Sequence, residues 1–275
     1  MTEWPEILLR CSQNVQRNVL HLLKQPQHQT RYGIGAGGDT TYHIDRVAEE
    51  AIVKTITNYS IDFILISEEA GIKRIGRDPQ HYVTIDPIDG TTNALRGMPF
   101  VATSIAVSRK PQLQDVECAI VADLRHNLTY TAQRDQGAYK NNKKIVPSRK
   151  TTLENLVLGI EFACETSRHI EVMTKLLQHT KHPRHLGADA LEICYVADGT
   201  IDGFVDIRGE LRITDMAAAQ LILKEAGGII TTLGKKRLSI SLTPTQRVSF
   251  MAIANKTLHE KIQALLGKGA INNLC

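Results

Sequence analysis

A short apolar strand that runs into two aspartates constrains this chain more than any other feature. Residues 82–85, Tyr-Val-Thr-Ile, predict a strand, and Asp86 and Asp89 follow it three residues apart. Pro87 has no backbone N–H to donate to a sheet, so we expect the strand to end there. The end of the strand therefore carries two closely spaced carboxylates, which suit a hard cation such as Mg²⁺.

The residues after the second aspartate predict a phosphate site. Gly90 can adopt backbone angles that are closed to other residues, and residues 91–93, Thr-Thr-Asn, favour the start of a helix. Backbone N–H groups at a helix start bind anions such as phosphate. The alternative is a simple acidic turn, because an isolated Asp-Pro-x-Asp-Gly segment often binds nothing. The length of the whole motif favours a joint site for metal and phosphate.

Two segments of the chain resemble the signatures of a known family. Residues 86–93, Asp-Pro-Ile-Asp-Gly-Thr-Thr-Asn, resemble the first signature of the inositol monophosphatase superfamily. Its relatives include archaeal enzymes that act on inositol 1-phosphate and fructose 1,6-bisphosphate. Residues 214–219, Thr-Asp-Met-Ala-Ala-Ala, resemble the second signature, Trp-Asp-x-Ala-Ala-Gly, with Asp215 kept and Thr214 and Ala219 replacing Trp and Gly. The resemblance covers nearly the whole chain.

The resemblance implies a set of oxygen ligands for two or three Mg²⁺ ions, with Mn²⁺ able to substitute. The implied ligands are Glu68, Asp86, the Ile88 carbonyl, Asp89, Asp215 and Asp39. Asp86 would bridge two of the ions, whereas Asp39 would reach only a third. Asp39 could equally be the N-cap of the next helix. Glu68 is chosen over its neighbour Glu69, whose side chain points elsewhere if the backbone is still extended.

The resemblance also implies residues for catalysis and for substrate binding. Thr91 would orient the attacking water together with the ligands Glu68 and Asp86. The implied contacts to substrate are Asp89, Gly90, Thr91, Arg184, Gly187, Asp189 and Arg208. Arg208 stands where inositol-specific relatives carry a Glu that contacts hydroxyl groups, and an arginine fork suits a phosphate better. Either arginine alone could be a surface charge, but the two together favour a bisphosphate substrate.

The predicted function is therefore a Mg²⁺-dependent phosphatase acting on fructose 1,6-bisphosphate, inositol 1-phosphate or both. An alternative in the same superfamily is a 3′(2′),5′-bisphosphate nucleotidase. A regulatory or scaffold protein that kept the fold would lack a metal carboxylate, and none is missing. A nucleotide-binding oxidoreductase could be suggested by the Gly-x-Gly-x-x-Gly pattern at residues 33–38. The polar residues 27–31 before it predict no strand, so we interpret it as a mobile loop that leads to Asp39.

The remaining pattern predicts a mixed fold in two domains. The resemblance implies a layered αβαβα arrangement, of α+β character with a mixed or antiparallel N-terminal sheet and an α/β C-terminal half. Residues 7–23 predict an amphipathic helix, residues 48–56 a helix, residues 61–66 a strand and residues 102–139 an antiparallel meander. The polar segment 147–150 divides an N-terminal domain, residues 1–147, from a C-terminal domain, residues 148–275, with Asp215 and the substrate residues. There the predicted strands are 155–160, 201–205 and 229–232, and the predicted helices are 167–179, 189–197, 215–226 and 256–266.

Composition excludes several other classes of protein. Hydrophobic residues make up 42% and charged residues 23% of the 275 residues. The net charge is +4, and the basic residues are not clustered as they are in nucleic-acid binders. No signal peptide or membrane-spanning run is evident, so we expect a cytoplasmic protein. The five cysteines lie far apart and predict buried or free thiols. Family habit suggests a homodimer with small-molecule phosphate esters as its partners.

Overall fold

Two helices and a small hairpin open the computed structural model, which describes residues 4–161, 167–234 and 238–266. Helix α1 spans Trp4–Leu22 and helix α2 spans His43–Asn58. Apolar side chains recur at helical spacing along α1, and this face is buried in a core shared with α2 and the first sheet. The predicted amphipathic N-terminal helix is therefore confirmed.

The glycine run forms the turn of a hairpin between β1 (Arg31–Ile34) and β2 (Thr40–Tyr42). A strand thus does precede the glycines, and our expectation of none was wrong. All four residues of β1 are exposed, so the strand leaves no apolar pattern in the sequence. The chain returns antiparallel within residues 31–42 and enters no crossover helix there, as a dinucleotide site would require.

An eight-stranded sheet occupies most of the first half of the chain. The strands are β3 Phe63–Ser67, β4 Gly71–Ile75, β5 His81–Asp89, β6 Ala102–Ser108, β7 Val116–Asp123, β8 Leu128–Gln133, β9 Gly137–Lys140 and β10 Lys143–Lys144. Their order is β10-β9-β8-β7-β6-β5-β3-β4, and every neighbouring pair is antiparallel except β3 and β5. Strands β6 to β9 form the predicted meander.

Strand β5 continues through Pro87 to Asp89, so the expected strand end at Pro87 was wrong. Pairing with β3 stops at Ile85, and the register against β6 shifts between Asp86 and Asp89. Pro87 therefore sits in an irregular segment where no ladder hydrogen bond is required of its nitrogen. The same irregularity separates the two aspartates along the strand. A short helix α3, Thr91–Arg96, follows at once.

A five-stranded mixed sheet lies in the second half of the chain, with the order β12-β11-β13-β15-β14. Strand β11 is parallel to both of its neighbours, and β15 is antiparallel to both of its own. The strands are β11 Val157–Ile160, β12 His182–Arg184, β13 Gly203–Arg212, β14 Ile229–Thr232 and β15 Arg247–Ile253. The helices are α4 Ser167–His179, α5 Asp189–Ala197, α6 Ile213–Ala226 and α7 Lys256–Leu266.

Three hydrophobic clusters stack these elements into five layers. One cluster joins α1 and α2 to the first sheet, a second buries α5 and α6 between the two sheets, and a third joins α4 and α7 to the second sheet. The helices of the central layer are rich in alanine, and Ala217, Ala218 and Ala219 are fully buried. Small side chains let both sheets approach this layer closely. The predicted αβαβα fold is confirmed.

Strands β4, β12 and β15 are missing from the sequence-based prediction, and β13 is longer than predicted. Residues 145–156 form no helix or strand, which agrees with a boundary near 147–150. The central cluster nevertheless draws side chains from both halves, so the division into two domains stays a prediction. No helix of the described residues is long and apolar enough to cross a membrane. Cys11, Cys118 and Cys194 are buried thiols, and Cys164 and Cys275 lie outside the described residues.

Candidate active site

Three carboxylates converge where the parallel pairing of β3 and β5 ends. Ser67 pairs with Ile85 in the register of these strands, so Glu68 and Asp86 come next to each other just beyond the last pair. Asp215 reaches them from the first turn of α6 in the other half of the chain. Oxygen atoms of all three lie within 4.8 Å of one another, and the three residues are buried. Carboxylates this close are typical ligands of a divalent cation.

The electrostatics of this cluster also favour a cation. Burial raises the pKa of Glu68 well above its usual range, and the charge of Asp215 raises it further. Burial likewise raises the pKa of Asp86, with Glu68 and Asp215 adding repulsion. The three groups therefore need positive charge nearby in order to be ionised together. The donor set and its charge fit a hard divalent metal ion.

Arg212 supplies such a charge from the last position of β13. Its Nε lies 3.1 Å from Asp215 Oδ2, and its Nη1 pairs with Glu68 and with Asp39. The side chain is mostly buried, whereas that of Asp39 is 74% exposed. Arg212 was missed as a site residue by the sequence-based prediction. The available signal was its position three residues before Asp215, where a strand turns into a helix.

Thr91 lies at the start of α3 with two acceptors in reach. Its Oγ1 is 2.9 Å from the Ile88 carbonyl oxygen and 3.2 Å from Asp45 Oδ1. Asp45 lies in the first turn of α2 and also accepts the backbone N–H of Tyr42 at 2.7 Å. Burial, reinforced by the charge of Glu69, raises the pKa of Asp45 to about 7. The Asp45 carboxylate can therefore accept a proton near neutral pH, and the Thr91 hydroxyl lies within hydrogen-bond distance of it.

Asp89 binds the N-terminus of α5. Its Oδ1 accepts the N–H of Asp189 at 3.0 Å, and its Oδ2 accepts the N–H of Ala190 at 2.8 Å. Burial raises the pKa of Asp89 to about 7, and the charge of Asp215 adds to this rise. Asp89 is thus close to the carboxylate cluster but stands outside its tightest group of three. Its role as a metal ligand stays a prediction, as does that of the Ile88 carbonyl.

Gly90 and Gly187 meet at the predicted phosphate position. Gly90 has a φ of 86° and precedes α3. A Cβ added to Gly90 would lie 3.0 Å from the Gly187 carbonyl oxygen and 3.1 Å from the Ala188 Cβ. Both the backbone angle and the close approach therefore require glycine. The segment at residue 187 is tied to the motif by Asn93, whose Nδ2 donates to the Leu186 carbonyl at 2.7 Å.

The glycine-rich turn is docked over the carboxylates. The N–H of Gly37 donates to the Glu68 carbonyl at 2.7 Å, and the N–H of Ala36 donates to the Glu69 carbonyl at 3.1 Å. Arg247 donates to the Gly37 carbonyl. Asp39 pairs with Arg212 and does not cap α2, because the N-cap of that helix is Tyr42. The N-cap interpretation of Asp39 was therefore wrong, and its metal role stays a prediction.

The two arginines of the predicted substrate side differ in their surroundings. Arg184 is exposed on β12, and its Nη1 donates to the Pro183 carbonyl at 2.9 Å. Arg208 is largely buried among carboxylates: its Nη1 lies 3.1 Å from Glu161 Oε2, and its Nε lies 3.1 Å from Asp206 Oδ1. A third carboxylate, Asp189 Oδ2, is 4.0 Å from Nη2. The guanidinium group of Arg208 is thus already engaged.

A model of the inositol monophosphatase family matches residues 4–269. The chain belongs to this family. The family is metal-dependent, and its members hydrolyse phosphoric monoesters. The resemblance stated from the two signatures is therefore confirmed, together with the class of reaction.

The individual relatives of this chain carry several names. The fructose-1,6-bisphosphatase/inositol-1-monophosphatase of Methanothermobacter thermautotrophicus is 34% identical over 272 residues, 96% of each chain. The bifunctional NADP phosphatase/NAD kinase of Methanococcus maripaludis is 30% identical over 283 residues, which cover 95% of this chain and 49% of that protein. A crystal structure of an inositol monophosphatase–fructose 1,6-bisphosphatase is 28% identical, with a TM-score of 0.84 over 96% of this chain and 100% of that chain.

Within this family member, the structure brings together most of the predicted site. Glu68, Asp86 and Asp215 form one cluster, Gly90 and Thr91 follow Asp89 in the same segment, and Gly187 lies against Gly90. Glu69 is engaged elsewhere, because its carboxylate accepts the Thr41 hydroxyl. The residues missed by the prediction are Asp45, Arg212, Arg247, Glu161 and Glu192.

Proposed function

We propose that this chain is a Mg²⁺-dependent phosphatase of sugar or polyol phosphates, acting on fructose 1,6-bisphosphate, inositol 1-phosphate or both. The observation that carries the proposal is the convergence of Glu68, Asp86 and Asp215 within 4.8 Å, beside the glycine contact of Gly90 and Gly187. Mg²⁺ prefers carboxylate oxygens and commonly shares its shell with substrate phosphate.

The three clustered carboxylates would hold the metal, with Asp89 and the Ile88 carbonyl completing two or three sites. Bound there, Mg²⁺ would neutralise the phosphate and lower the pKa of the attacking water. Asp39 would join only through the docked loop, where it now faces Arg212. A metal ion held there would compete with Arg212 for the carboxylates of Glu68 and Asp215.

Thr91 and Asp45 would handle the proton of the attacking water. The Thr91 hydroxyl would accept this proton while donating its own to Asp45, whose Oδ1 lies 3.2 Å away. The pKa of Asp45, raised to about 7 by burial and by Glu69, suits a group that accepts a proton near neutral pH. The N–H groups of Gly90 and Thr91 would bind the phosphate oxygens at the start of α3.

Gly187, Asp189, Arg184 and Arg208 would contact the rest of the substrate. To bind a remote phosphate, the guanidinium group of Arg208 would have to release at least one of its carboxylate partners, Glu161, Asp189 and Asp206. Hydroxyl groups of a sugar or polyol could bind these carboxylates without such an exchange. The cytoplasmic location, expected from the sequence, and the homodimer, implied by the resemblance, stay predictions.

A second candidate is a phosphatase of nucleotide 2′- or 3′-phosphates. It is favoured by the relative from Methanococcus maripaludis that carries an NADP phosphatase activity in its name and aligns with 95% of this chain. Such a substrate also has a phosphate ester on a ribose, so the chemistry at the metal cluster is unchanged.

Initial rates on a panel of phosphate esters test these proposals. The panel contains fructose 1,6-bisphosphate, inositol 1-phosphate, NADP and adenosine 3′,5′-bisphosphate, each with Mg²⁺ and with EDTA. We expect hydrolysis of at least one sugar or polyol phosphate that EDTA abolishes and excess Mg²⁺ restores. Asp86→Asn is the matched variant and should be inactive but folded, because losing one buried charge relieves repulsion. Full activity in EDTA or in Asp86→Asn would contradict the proposal.

A further inference from the structure

A second group of carboxylates lies on the substrate side, apart from the cluster of Glu68, Asp86 and Asp215. Glu161 directly follows β11, whereas Asp189 and Glu192 lie three residues apart in the first turn of α5 and so share one face of that helix. One oxygen from each of the three lies within 4.8 Å of the others. Glu192 is 0% exposed, and the side chains of Glu161 and Asp189 are 5% and 16% exposed.

The negative charge of this group exceeds the positive charge that faces it. Asp206, which is also fully buried, adds a fourth carboxylate through its pairing with Arg208. Among the described residues, the basic groups in ion pairs with these four are Arg208 and His185, the latter 3.2 Å from Glu161. Even with a protonated His185, four carboxylates would share two cations. Buried charge of one sign is costly unless it is neutralised.

One oxygen in the group also lacks a partner. Glu192 Oε1 accepts the N–H groups of Leu186 at 3.1 Å and Gly187 at 3.2 Å. Glu192 Oε2 is buried and, among the described residues, has no hydrogen-bond partner. It points toward β11, where a Cβ added to Gly159 would lie only 2.7 Å away. A buried oxygen without a partner, on a carboxylate that lies within 4.8 Å of two others, marks a position for a ligand.

We propose that Glu161, Asp189 and Glu192 bind a divalent cation at a second site, separate from the catalytic metals. Three oxygens at these separations can all reach one ion at the 2.3–2.6 Å typical of Ca²⁺, and Mn²⁺ accepts the same ligands. A small ion also suits the complete burial of Glu192. The cation would supply the missing positive charge and the missing partner of Glu192 together.

The proposed ion would act on the active site through α5. Asp189 and Glu192 belong to the helix turn whose N–H groups bind Asp89, and Glu192 also holds the backbone of Gly187. Cross-linking this turn to the end of β11 would fix the position of Gly187 against Gly90. The site is therefore a positioning site, and it adds to the proposed phosphatase without depending on it.

Titration calorimetry with Ca²⁺ tests the proposal without any phosphate ester. Asp86→Asn serves as the background, because it weakens the catalytic metal sites. We expect Asp86→Asn/Glu192→Gln to bind one Ca²⁺ fewer than Asp86→Asn, or to bind it at least about 10-fold more weakly. The matched control is Asp86→Asn/Asp198→Asn. Asp198 is a buried carboxylate whose Oδ2 is paired with Lys140 and Tyr130, and its removal should leave the Ca²⁺ count unchanged.

Glu161→Gln in the same background repeats the test if the Glu192 variant does not fold. Equal Ca²⁺ binding by Asp86→Asn and by both double variants would overturn the proposal. It would also fail if Asp86→Asn binds no Ca²⁺ at pH 7.5, since the group would then be neutralised by protons. A chain inactive on every ester would defeat the proposed phosphatase while leaving this titration intact.

Discussion

At the residue scale, the charge of the site is set by buried carboxylates and by the few basic side chains that contact them. Glu68, Asp86 and Asp215 converge on Arg212, and Glu161, Asp189 and Asp206 converge on Arg208. Each arginine contacts several carboxylates. It can therefore release one carboxylate to a metal ion, or exchange one for a substrate phosphate, and still keep an ion pair. Single substitutions at these positions should therefore separate metal binding, proton transfer and substrate choice.

Thr91→Ala should lower kcat about 10²–10⁴-fold, the usual loss for a general acid–base contributor. The hydroxyl that faces Asp45 and the Ile88 carbonyl is removed, while the backbone N–H groups stay. Steady-state kinetics with saturating Mg²⁺ measure the effect, and Thr91→Ser should keep most of the activity. An unchanged kcat would mean that the metal alone positions the water.

Arg212→Met should tighten Mg²⁺ binding about 10-fold or more and destabilise the protein in EDTA. The guanidinium neutralises Glu68 and Asp215 when no metal is bound, so its removal leaves buried charges that attract a cation more strongly. Calorimetric Mg²⁺ titration and thermal unfolding in EDTA give the two readings. Arg10→Met, at an exposed position of α1, is the control, and weaker Mg²⁺ binding by Arg212→Met would contradict the expected competition.

Arg208→Ala distinguishes a bisphosphate from a monophosphate substrate. A charge-assisted contact to the remote phosphate contributes about 1.5–3 kcal/mol, which corresponds to roughly 10- to 150-fold in kcat/KM. We expect that loss for fructose 1,6-bisphosphate and little change for inositol 1-phosphate, which has no remote phosphate. An equal fall for both substrates would assign Arg208 a purely structural role with Glu161 and Asp206.

At the element scale, the N-terminus of α5 couples the two halves of the site. Its N–H groups bind Asp89, which follows the first sheet, and its side chains reach Glu161 at the end of β11. The helix itself was predicted at the correct residues from its apolar pattern. Its first turn is where buried polar groups concentrate, so its stability should respond to pH.

Glu192→Gln should be more stable than the wild type at pH 9 in EDTA and similar to it at pH 5. Burial raises the pKa of Glu192 to about 8 in the folded chain, well above the usual range of a glutamate. The folded state therefore binds more protons than the unfolded state, and the stability from this group is lost as pH rises toward 8. Melting temperatures between pH 5 and pH 9 measure the difference. Parallel pH curves for the two proteins would contradict it.

At the scale of the whole molecule, the alanine-rich helix α6 determines how closely the two sheets approach. It carries Asp215 in its first turn and lies in the cluster that both sheets share. Because Glu68 and Asp86 come from the first sheet and Asp215 from α6 itself, the packing of α6 against that sheet sets the distances between them. Packing errors in α6 should therefore affect stability and the metal site together.

Ala218→Leu should lower the free energy of unfolding by about 1–3 kcal/mol, because it inserts three carbon atoms into a fully packed layer. Urea unfolding in EDTA measures the loss, and weaker Mg²⁺ binding should accompany it. Ala264→Leu, at an exposed position of α7, is the control and should be nearly neutral. Equal stability of both variants would show that the central layer is loosely packed.

The sequence by itself determined the local part of this protein. Periodic apolar residues predicted α1, α5 and α7 closely. The two short signatures contain Asp86 and Asp215, and the resemblance that they carry implied Glu68 as a third ligand. Such features depend on neighbours within a few residues, so they are visible without the fold. Exposed β1 and the edge strand β12 lacked an apolar pattern and were missed for that reason.

Only the tertiary structure decided which distant groups meet. Thr91 contacts Asp45, which is 46 residues away in the sequence, and Arg212 contacts Asp39, which is 173 residues away. Pairings of this kind follow from strand order, register and the thickness of the central layer, none of which is encoded in a local pattern. The same holds for Glu161, Asp189 and Glu192: the packing of β11 against α5 places three separate acids within reach of one ion.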